Sequence, residues 1–145
     1  MLLTIEERFS AALHHTARCW RQALDRRLKD LGVGQAGWMS IAIIAKSSEP
    51  LSQTELAHRV GVEDPTIVAM IDRLVKAGFV ERMPSQTDRR IKLIVLTQAG
   101  EQLYRKVKAE SDAFRAELFA GVDRQKLQEA TELLETLQAV AEAAS

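Results

Sequence analysis

Three consecutive charged residues, Asp88, Arg89 and Arg90, have the most distinctive chemistry in this chain, and they follow the turn-rich segment 84–87. Guanidinium groups bind phosphate and are attracted to narrow A·T minor grooves, where negative potential is concentrated. This arrangement favours contact with DNA by Arg89 and Arg90. The alternative is an exposed hairpin tip with a solvated Asp88–Arg90 pair, which would contribute little energy.

A second set of candidates lies on the segment from Asp64 to Ala77, which reads as a helix with Asp64 as its N-cap, Pro65 at its first helical position and Gly78 after its end. Its apolar face is predicted to contain Ile67, Val68, Ile71, Leu74 and Val75. The opposite face then contains Thr66, Ala69, Met70 and Arg73. Thr66 can hydrogen-bond a base or a phosphate, whereas Ala69 and Met70 offer apolar contact, for instance to thymine methyl groups. Met70 packed beneath the hairpin is the alternative.

The helix before it also begins with candidate residues, because Ser52 and Glu55 form a capping box at its start. Ser52, Gln53 and Thr54 surround free backbone N–H groups, which favour a phosphate. An N-cap role alone explains Ser52 equally well.

These side chains must be positioned by secondary-structure elements, and the sequence pattern around them predicts a winged helix. The helices on either side of Gly61 form a helix-turn-helix. Residues 79–83 and 91–96 read as a β-hairpin, which is the wing. The fold class is therefore mainly α with a small β-hairpin (α+β), with a winged helix-turn-helix DNA-binding lobe at 35–97. Its first helix is expected from Gln35 to about Lys46, and the predicted buried stripe is Trp38, Ile41, Ala42 and Ala45.

Long helices are predicted on both sides of the lobe, at 1–34 and 98–145. Thr4 and Glu7 form a capping box at the first, and Thr97 can cap the helix after the wing. The last helix has apolar residues at alternating spacings of three and four, which is the pattern of a helix-pairing seam. We expect these helices to form the dimerisation region of one intertwined domain, shared with a second copy of the chain. The predicted interface includes Ile5, Phe9, Leu118, Leu127, Leu134 and Leu137.

The charge distribution agrees with a nucleic-acid partner, although 20 basic and 20 acidic residues give no net charge. Residues 59–108 contain 10 basic and 6 acidic side chains, whereas residues 109–145 contain 3 and 8. A basic middle segment and an acidic end indicate that only part of the chain meets an anion.

Other functional classes are disfavoured by residues that the sequence lacks. The single cysteine, Cys19, excludes an intramolecular disulfide, and with His15 it would provide only two metal ligands. No nucleophile–base set, carboxylate pair or metal cluster indicates an enzyme, and we expect no cofactor. The start MLLTIEERF lacks the order of a signal peptide and no apolar run could span a membrane, so a cytoplasmic location is expected.

The segment from Gly61 to Gly100, GVEDPTIVAMIDRLVKAGFVERMPSQTDRRIKLIVLTQAG, resembles the multiple antibiotic resistance regulator (MarR) family, and within it the SlyA-like regulators. It has the pattern RLxxxGxxxR, from Arg73 to Arg82, and the wing signature DxR…LT, from Asp88 to Thr97. The resemblance implies a homodimeric repressor on a pseudo-palindromic operator, with Asp88 orienting Arg90. SlyA-like regulators have an arginine where this chain has Ala69, which weakens the expectation of guanine recognition by this helix.

The resemblance also implies an effector, since family members bind aromatic acids in a crevice between the dimerisation helices and the DNA lobe, which the first two helices would border. His14 and Arg18 share a stripe of the first helix and Trp38 lies on the second, so a small aromatic or phenolic acid is expected there; a structural salt bridge is the alternative for Arg18. The position of the redox-sensing cysteine in hydroperoxide sensors falls at Ser10, which disfavours redox sensing by Cys19. The competing function is a winged-helix protein-interaction module that does not bind DNA.

Overall fold

The computed structural model describes all residues, Met1–Ser145, and divides into two compact units, Met1–Asp112 and Ala113–Ser145. The elements are α1 (Ile5–Arg27), a short 3₁₀ turn (Lys29–Leu31), α2 (Gly34–Lys46), β1 (Leu51–Ser52), α3 (Gln53–Val60), α4 (Asp64–Lys76), β2 (Val80–Pro84), β3 (Lys92–Leu96), α5 (Gln98–Phe119) and α6 (Arg124–Ala143). The predicted fold class is confirmed: α3 and α4 form the helix-turn-helix, and β2 and β3 form the wing.

The helix starts follow from local hydrogen bonds. The capping box at α3 is complete, because Glu55 N–H donates to Ser52 Oγ at 3.1 Å and Ser52 N–H donates to the Glu55 carboxylate at 3.2 Å. At α1 only half of the predicted box forms: Glu7 N–H donates to Thr4 Oγ1, while the Glu7 carboxylate accepts from the Thr4 hydroxyl.

The predicted N-cap of α4 is wrong by one residue. Glu63, not Asp64, has the extended backbone of an N-cap, and its carbonyl accepts the first helical hydrogen bond from Ile67 N–H at 3.0 Å. The Glu63 side chain makes no capping hydrogen bond, and Pro65 lies in the first turn, where its missing N–H leaves no helical hydrogen bond unmade. This end of α4 therefore begins without a side-chain cap.

The wing belongs to a three-stranded antiparallel sheet of order β1-β3-β2, in which β3 is the central strand. The sequence did not predict β1, a two-residue strand that pairs Leu51 with Ile94. On the other side of β3, Arg82 is paired with Ile94 across the wing. The main core of the first unit lies between this sheet and the helices around it, and its buried residues are Ile41, Ile44, Leu51, Leu56, Ala57, Ile67, Met70, Ile71, Leu74, Val80, Ile94 and Leu103.

Helix α2 begins one residue earlier than expected and buries a different stripe. Trp38 and Ile41 are buried as predicted, but Ala42 and Ala45 are only half-buried, and Ile44 is buried in their place. The Trp38 indole N–H donates to Asp25 Oδ1 of α1 at 3.1 Å. This hydrogen bond satisfies the polar atom of a side chain that is only 5% exposed.

The junction between the wing and α5 depends on two glycines. Gly78 ends α4 with φ of 85°, a left-handed conformation that favours glycine. Thr97 Oγ1 donates to the Gly78 carbonyl oxygen at 2.5 Å, and the Thr97 hydroxyl oxygen caps α5 by accepting from Gly100 N–H at 3.1 Å. A Cβ on Gly100 would lie 2.0 Å from the carbonyl oxygen of Phe79. Thr97, the last residue of the wing signature, therefore fixes the start of α5 together with Gly100.

The second unit contains the end of α5, the whole of α6 and the turn between them. Asp123 caps α6 by accepting from the N–H groups of Gln125 and Lys126. No residue of α6 is buried, and Leu133, Leu134, Leu137 and Val140 are exposed. No helix of the protein is both long and apolar enough to cross a lipid bilayer.

Candidate nucleic-acid interface

The tip of the wing holds Arg90 in a defined orientation. Arg90 donates from Nε to Asp88 Oδ1 and from Nη2 to Asp88 Oδ2, both at 3.1 Å, and its backbone N–H donates to Oδ1 at 3.0 Å. The Arg90 side chain is nevertheless 91% exposed. A bidentate contact of this kind orders a guanidinium without burying it, so its outer face stays free for an anion.

The same contacts act on Asp88. The side-chain hydrogen bond from Arg90, followed by the backbone hydrogen bond from that residue, lowers the pKa of Asp88 from its ordinary value. Asp88 N–H also donates to Ser85 Oγ at 3.4 Å, and Ile91 N–H donates to the Asp88 carbonyl at 3.0 Å. Asp88 is thus the centre of the tip, while Arg89 beside it is exposed.

The predicted faces of α4 are partly wrong. Met70 is only 1% exposed and belongs to the core, so it is not available for base contact. Val68 and Val75, predicted to be buried, are 38% and 37% exposed. The accessible side chains of α4 that were predicted as site residues are Pro65, Thr66, Ala69 and Arg73.

Arg82, whose role the sequence did not reveal, connects three elements behind this surface. Its Nε donates to Gln53 Oε1 of α3 at 2.7 Å, and its Nη2 donates to Asp72 Oδ1 of α4 at 2.5 Å. A weaker hydrogen bond of 3.4 Å joins Nη2 to the carbonyl oxygen of Val68. Gln53, predicted as a DNA contact, therefore helps to position α4 from the first turn of α3. The RLxxxGxxxR pattern, which ends at Arg82, was the sequence signal that could have singled out this residue. The partners of Arg82 could not be read from it, because they depend on the tertiary fold.

The starts of α3 and α4 lie on one cleft of about 850 Å³, whose lining includes Thr54, Pro65 and Thr66. Thr54 is exposed, whereas Ser52 is half-buried with its hydroxyl oxygen engaged by Glu55 N–H. The structure thus brings Thr54 and the first turn of α4 together, and gives Ser52 a capping role.

The predicted effector residues are not all on one site. His14 and Arg18 line a separate depression of about 330 Å³ with Arg21, Gln22 and Gln35. Trp38 does not line it, because its ring is buried against the α1–α2 contact and its N–H is bonded to Asp25. The expectation that Trp38 shares a ligand site with His14 and Arg18 is therefore wrong for this depression. The structure shows no ion pair for Arg18, which leaves its charge exposed to solvent.

The residues predicted for a dimer interface occur in both units. In the first unit, Ile5 and Phe9 of α1 are 66% and 37% exposed. In the second unit Leu118, Leu134 and Leu137 are between 40% and 46% exposed, and Leu127 is half-buried.

Cys19 is exposed and reduced, and no cluster of three possible metal ligands occurs.

Comparison with known proteins identifies relatives of the whole chain. The model of the MarR family matches residues 39–92. The chain is 36% identical to the transcriptional regulator PA3341, whose crystal structure covers 93% of this chain and 98% of its own with a TM-score of 0.88. Two further structures share the fold at lower identity. CouR from Rhodococcus jostii RHA1, bound to p-coumaroyl-CoA, is 23% identical, covers 94% of this chain and 95% of its own, and has a TM-score of 0.80. Staphylococcus aureus MarR in complex with salicylate and kanamycin is 20% identical, covers 97% of this chain and 95% of its own, and has a TM-score of 0.85.

Proposed function

This chain belongs to the MarR family of transcriptional regulators, and from that premise we propose that it binds double-stranded DNA as a homodimer and represses transcription from a pseudo-palindromic operator. In this proposal α4 enters the major groove and the wing enters the adjacent minor groove. The observation that carries it is Arg90, whose side chain is 91% exposed yet is held by Asp88 at the tip of the wing. An oriented, exposed guanidinium at this position suits a phosphate or a narrow minor groove.

The dimer is supported by the apolar surface of the long helices. On α6 the exposed residues Leu133 and Val140 extend the seam of Leu134 and Leu137 into a broader stripe. Monomeric proteins rarely leave a continuous apolar stripe of this kind in water. We assign it to a second copy of the chain, because two copies would bring two wings and two recognition helices to successive turns of DNA.

The dimer is tested by changing Leu134 and Leu137 together to lysine. Sedimentation and DNA-binding measurements should show loss of the dimer and of operator affinity together, since a monomer presents one lobe. Glu135→Lys, a charge change on the same helix outside the seam, is the matched control. A stable monomeric variant with unchanged operator affinity would contradict the proposal.

We further propose an aromatic carboxylate as effector, acting near His14 and Arg18. Arg18 and Arg21 supply cations at this depression, and two relatives bind salicylate and p-coumaroyl-CoA. A ligand that prefers another separation of the two lobes must lower operator affinity by its differential affinity for the two forms. Release of DNA by millimolar salicylate should therefore disappear in Arg18→Ala. Release that is unaffected by this substitution would remove Arg18 from the site.

DNA binding itself is tested with the full-length protein and fragmented genomic DNA in the presence of non-specific competitor. The proposal expects recovery of a small set of fragments that share a sequence with dyad symmetry. Recovery of no fragments would favour the protein-interaction module, and recovery of random fragments would contradict sequence-specific recognition.

A further inference from the structure

The exposed surface of the first two turns of α4 contains few groups that can recognise a base by hydrogen bonding. Its accessible side chains are Asp64, Pro65, Thr66, Val68 and Ala69. None of them is an arginine, lysine, asparagine or glutamine, the side chains that form bidentate contacts with guanine or adenine. Asp64 and Thr66 are the polar ones, and Asp64 can only accept a hydrogen bond, from the amino group of cytosine or of adenine. The cation Arg73 lies two turns further along the helix than Thr66.

Val68 is the largest apolar side chain that this part of α4 exposes. It is 38% exposed, whereas its apolar neighbours Ile67 and Met70 are each 1% exposed. Its backbone is held in place, since its carbonyl accepts from Arg82 Nη2. A β-branched side chain has few rotamers on a helix, so its methyl groups occupy defined positions. Val68 therefore provides a rigid apolar contact next to Ala69.

The charged residues around this apolar surface can hold the helix against DNA without reading it. Arg73 lies beyond it on α4, and Arg89 and Arg90 lie on the wing; all three are exposed. Contacts from such residues to phosphate fix the register of a protein on the duplex but carry no sequence information. The acid Asp72, which would repel phosphate, is paired with Arg82. Besides Thr66, the groups of this surface that remain for discrimination between bases are its apolar side chains.

We propose that Val68, with Ala69 beside it, recognises thymine through its C5 methyl group, which makes Val68 the main specificity-determining residue of α4. The inference rests on the proposed function and names the base chemistry that this surface selects. In the major groove that methyl group distinguishes thymine from every other base. Burial of one methyl-sized group between Val68 and the base should change affinity about fourfold in each half-site.

The test uses a DNA duplex that the full-length protein selects from a random library, with each thymine replaced in turn by deoxyuridine. Deoxyuridine lacks only the methyl group and keeps every hydrogen-bonding atom. We expect one thymine in each half-site at which this replacement weakens wild-type binding about fourfold. Val68→Ala should bind the thymine and deoxyuridine duplexes equally, because the side chain that contacts the methyl group has been shortened.

Val75→Ala is the matched control, since Val75 is on the same helix, is 37% exposed, and lies seven residues, or about 10 Å, further along. It should keep the fourfold sensitivity of the wild type. Sensitivity that persists in Val68→Ala, or a selected duplex that tolerates deoxyuridine at every position, would overturn the inference alone. Failure of the protein to select any duplex would overturn the proposed function together with it.

Discussion

The Arg82 guanidinium of the wing forms an ion pair of 2.5 Å with Asp72 of α4 while its Nε is bonded to Gln53 of α3. One side chain thus ties both helices of the helix-turn-helix to the first strand of the wing. Arg82 is 27% exposed and Asp72 is 60% exposed, so the pair is only partly shielded from solvent. We infer that Arg82 is a positioning residue for the proposed DNA interface.

Arg82→Gln should lower the free energy of unfolding by about 1 kcal/mol, a value discounted for the exposure of Asp72. Arg82→Lys keeps the charge but loses the planar fork that reaches two partners. The Arg82→Lys protein should therefore retain its non-specific DNA affinity but lose specific affinity several-fold. The measurement is the ratio of specific to non-specific affinity. Arg105→Gln, at an exposed position of α5, is the control and should change neither quantity. An unchanged ratio in Arg82→Lys would show that Arg82 has no positioning role.

Arg90→Ala should weaken DNA binding and reduce the slope of log affinity against log salt concentration by about 1 for each half-site, because one cation is withdrawn from the phosphates. Fluorescence anisotropy at several salt concentrations measures this slope. Arg105→Ala removes the same charge from α5 and should leave the slope unchanged. Equal slopes for wild type and Arg90→Ala would mean that the wing is not inserted.

The order of the wing tip should depend on pH through Asp88. Contacts with Arg90 lower the pKa of Asp88 in the folded protein. Their stabilising effect is therefore complete at a pH above the pKa of Asp88 in the unfolded chain, about 3.9, and is lost as the pH falls through the pKa of Asp88 in the folded protein. Carboxyl carbon shifts of Asp88, followed by NMR from pH 6 to acid, should report a midpoint below about 3.9. In Arg90→Ala the midpoint should rise towards that value. The same midpoint in both proteins would contradict the Asp88–Arg90 contact in solution.

Gly100→Ala should destabilise the protein, since its Cβ would lie 2.0 Å from the Phe79 carbonyl oxygen. Overpacking of this kind costs about 1–3 kcal/mol, which corresponds to a melting temperature lower by roughly 3–10 °C. Gly121→Ala meets no atom within 4 Å and is the matched control. Thermal unfolding followed by circular dichroism compares the two, and similar melting temperatures would show that the approach to Phe79 is relaxed.

Local signals in the sequence predicted most of the elements, whereas the orientation of α4 depended on its neighbours. The Ser52–Glu55 pair specified the start of α3 because a capping box is formed within four residues. On α4, a rotation of about 40° around the helix axis decides whether Val68 or Met70 joins Ile67, Ile71 and Leu74 in the core. Both residues are apolar, so periodicity alone did not distinguish these alternatives.

Partners distant in sequence explain the other differences. Trp38 was expected at a ligand site, but Asp25, 13 residues earlier, accepts its N–H and accounts for its buried position. Gln53 was expected to face DNA, and it is bound by Arg82, 29 residues later. The SlyA-like subtype within the family stays a prediction, as does the DNA contact of each interface residue.

The most direct test of the account is hydroxyl-radical footprinting of the full-length protein on a duplex selected from genomic DNA. A dimer with two recognition helices in successive major grooves should protect two half-sites about 10–10.5 base pairs apart, related by dyad symmetry. In each half-site, additional minor-groove protection by the wing should disappear in Arg90→Ala. Protection of one isolated half-site, or an identical footprint for Arg90→Ala, would contradict the proposed mode of DNA binding.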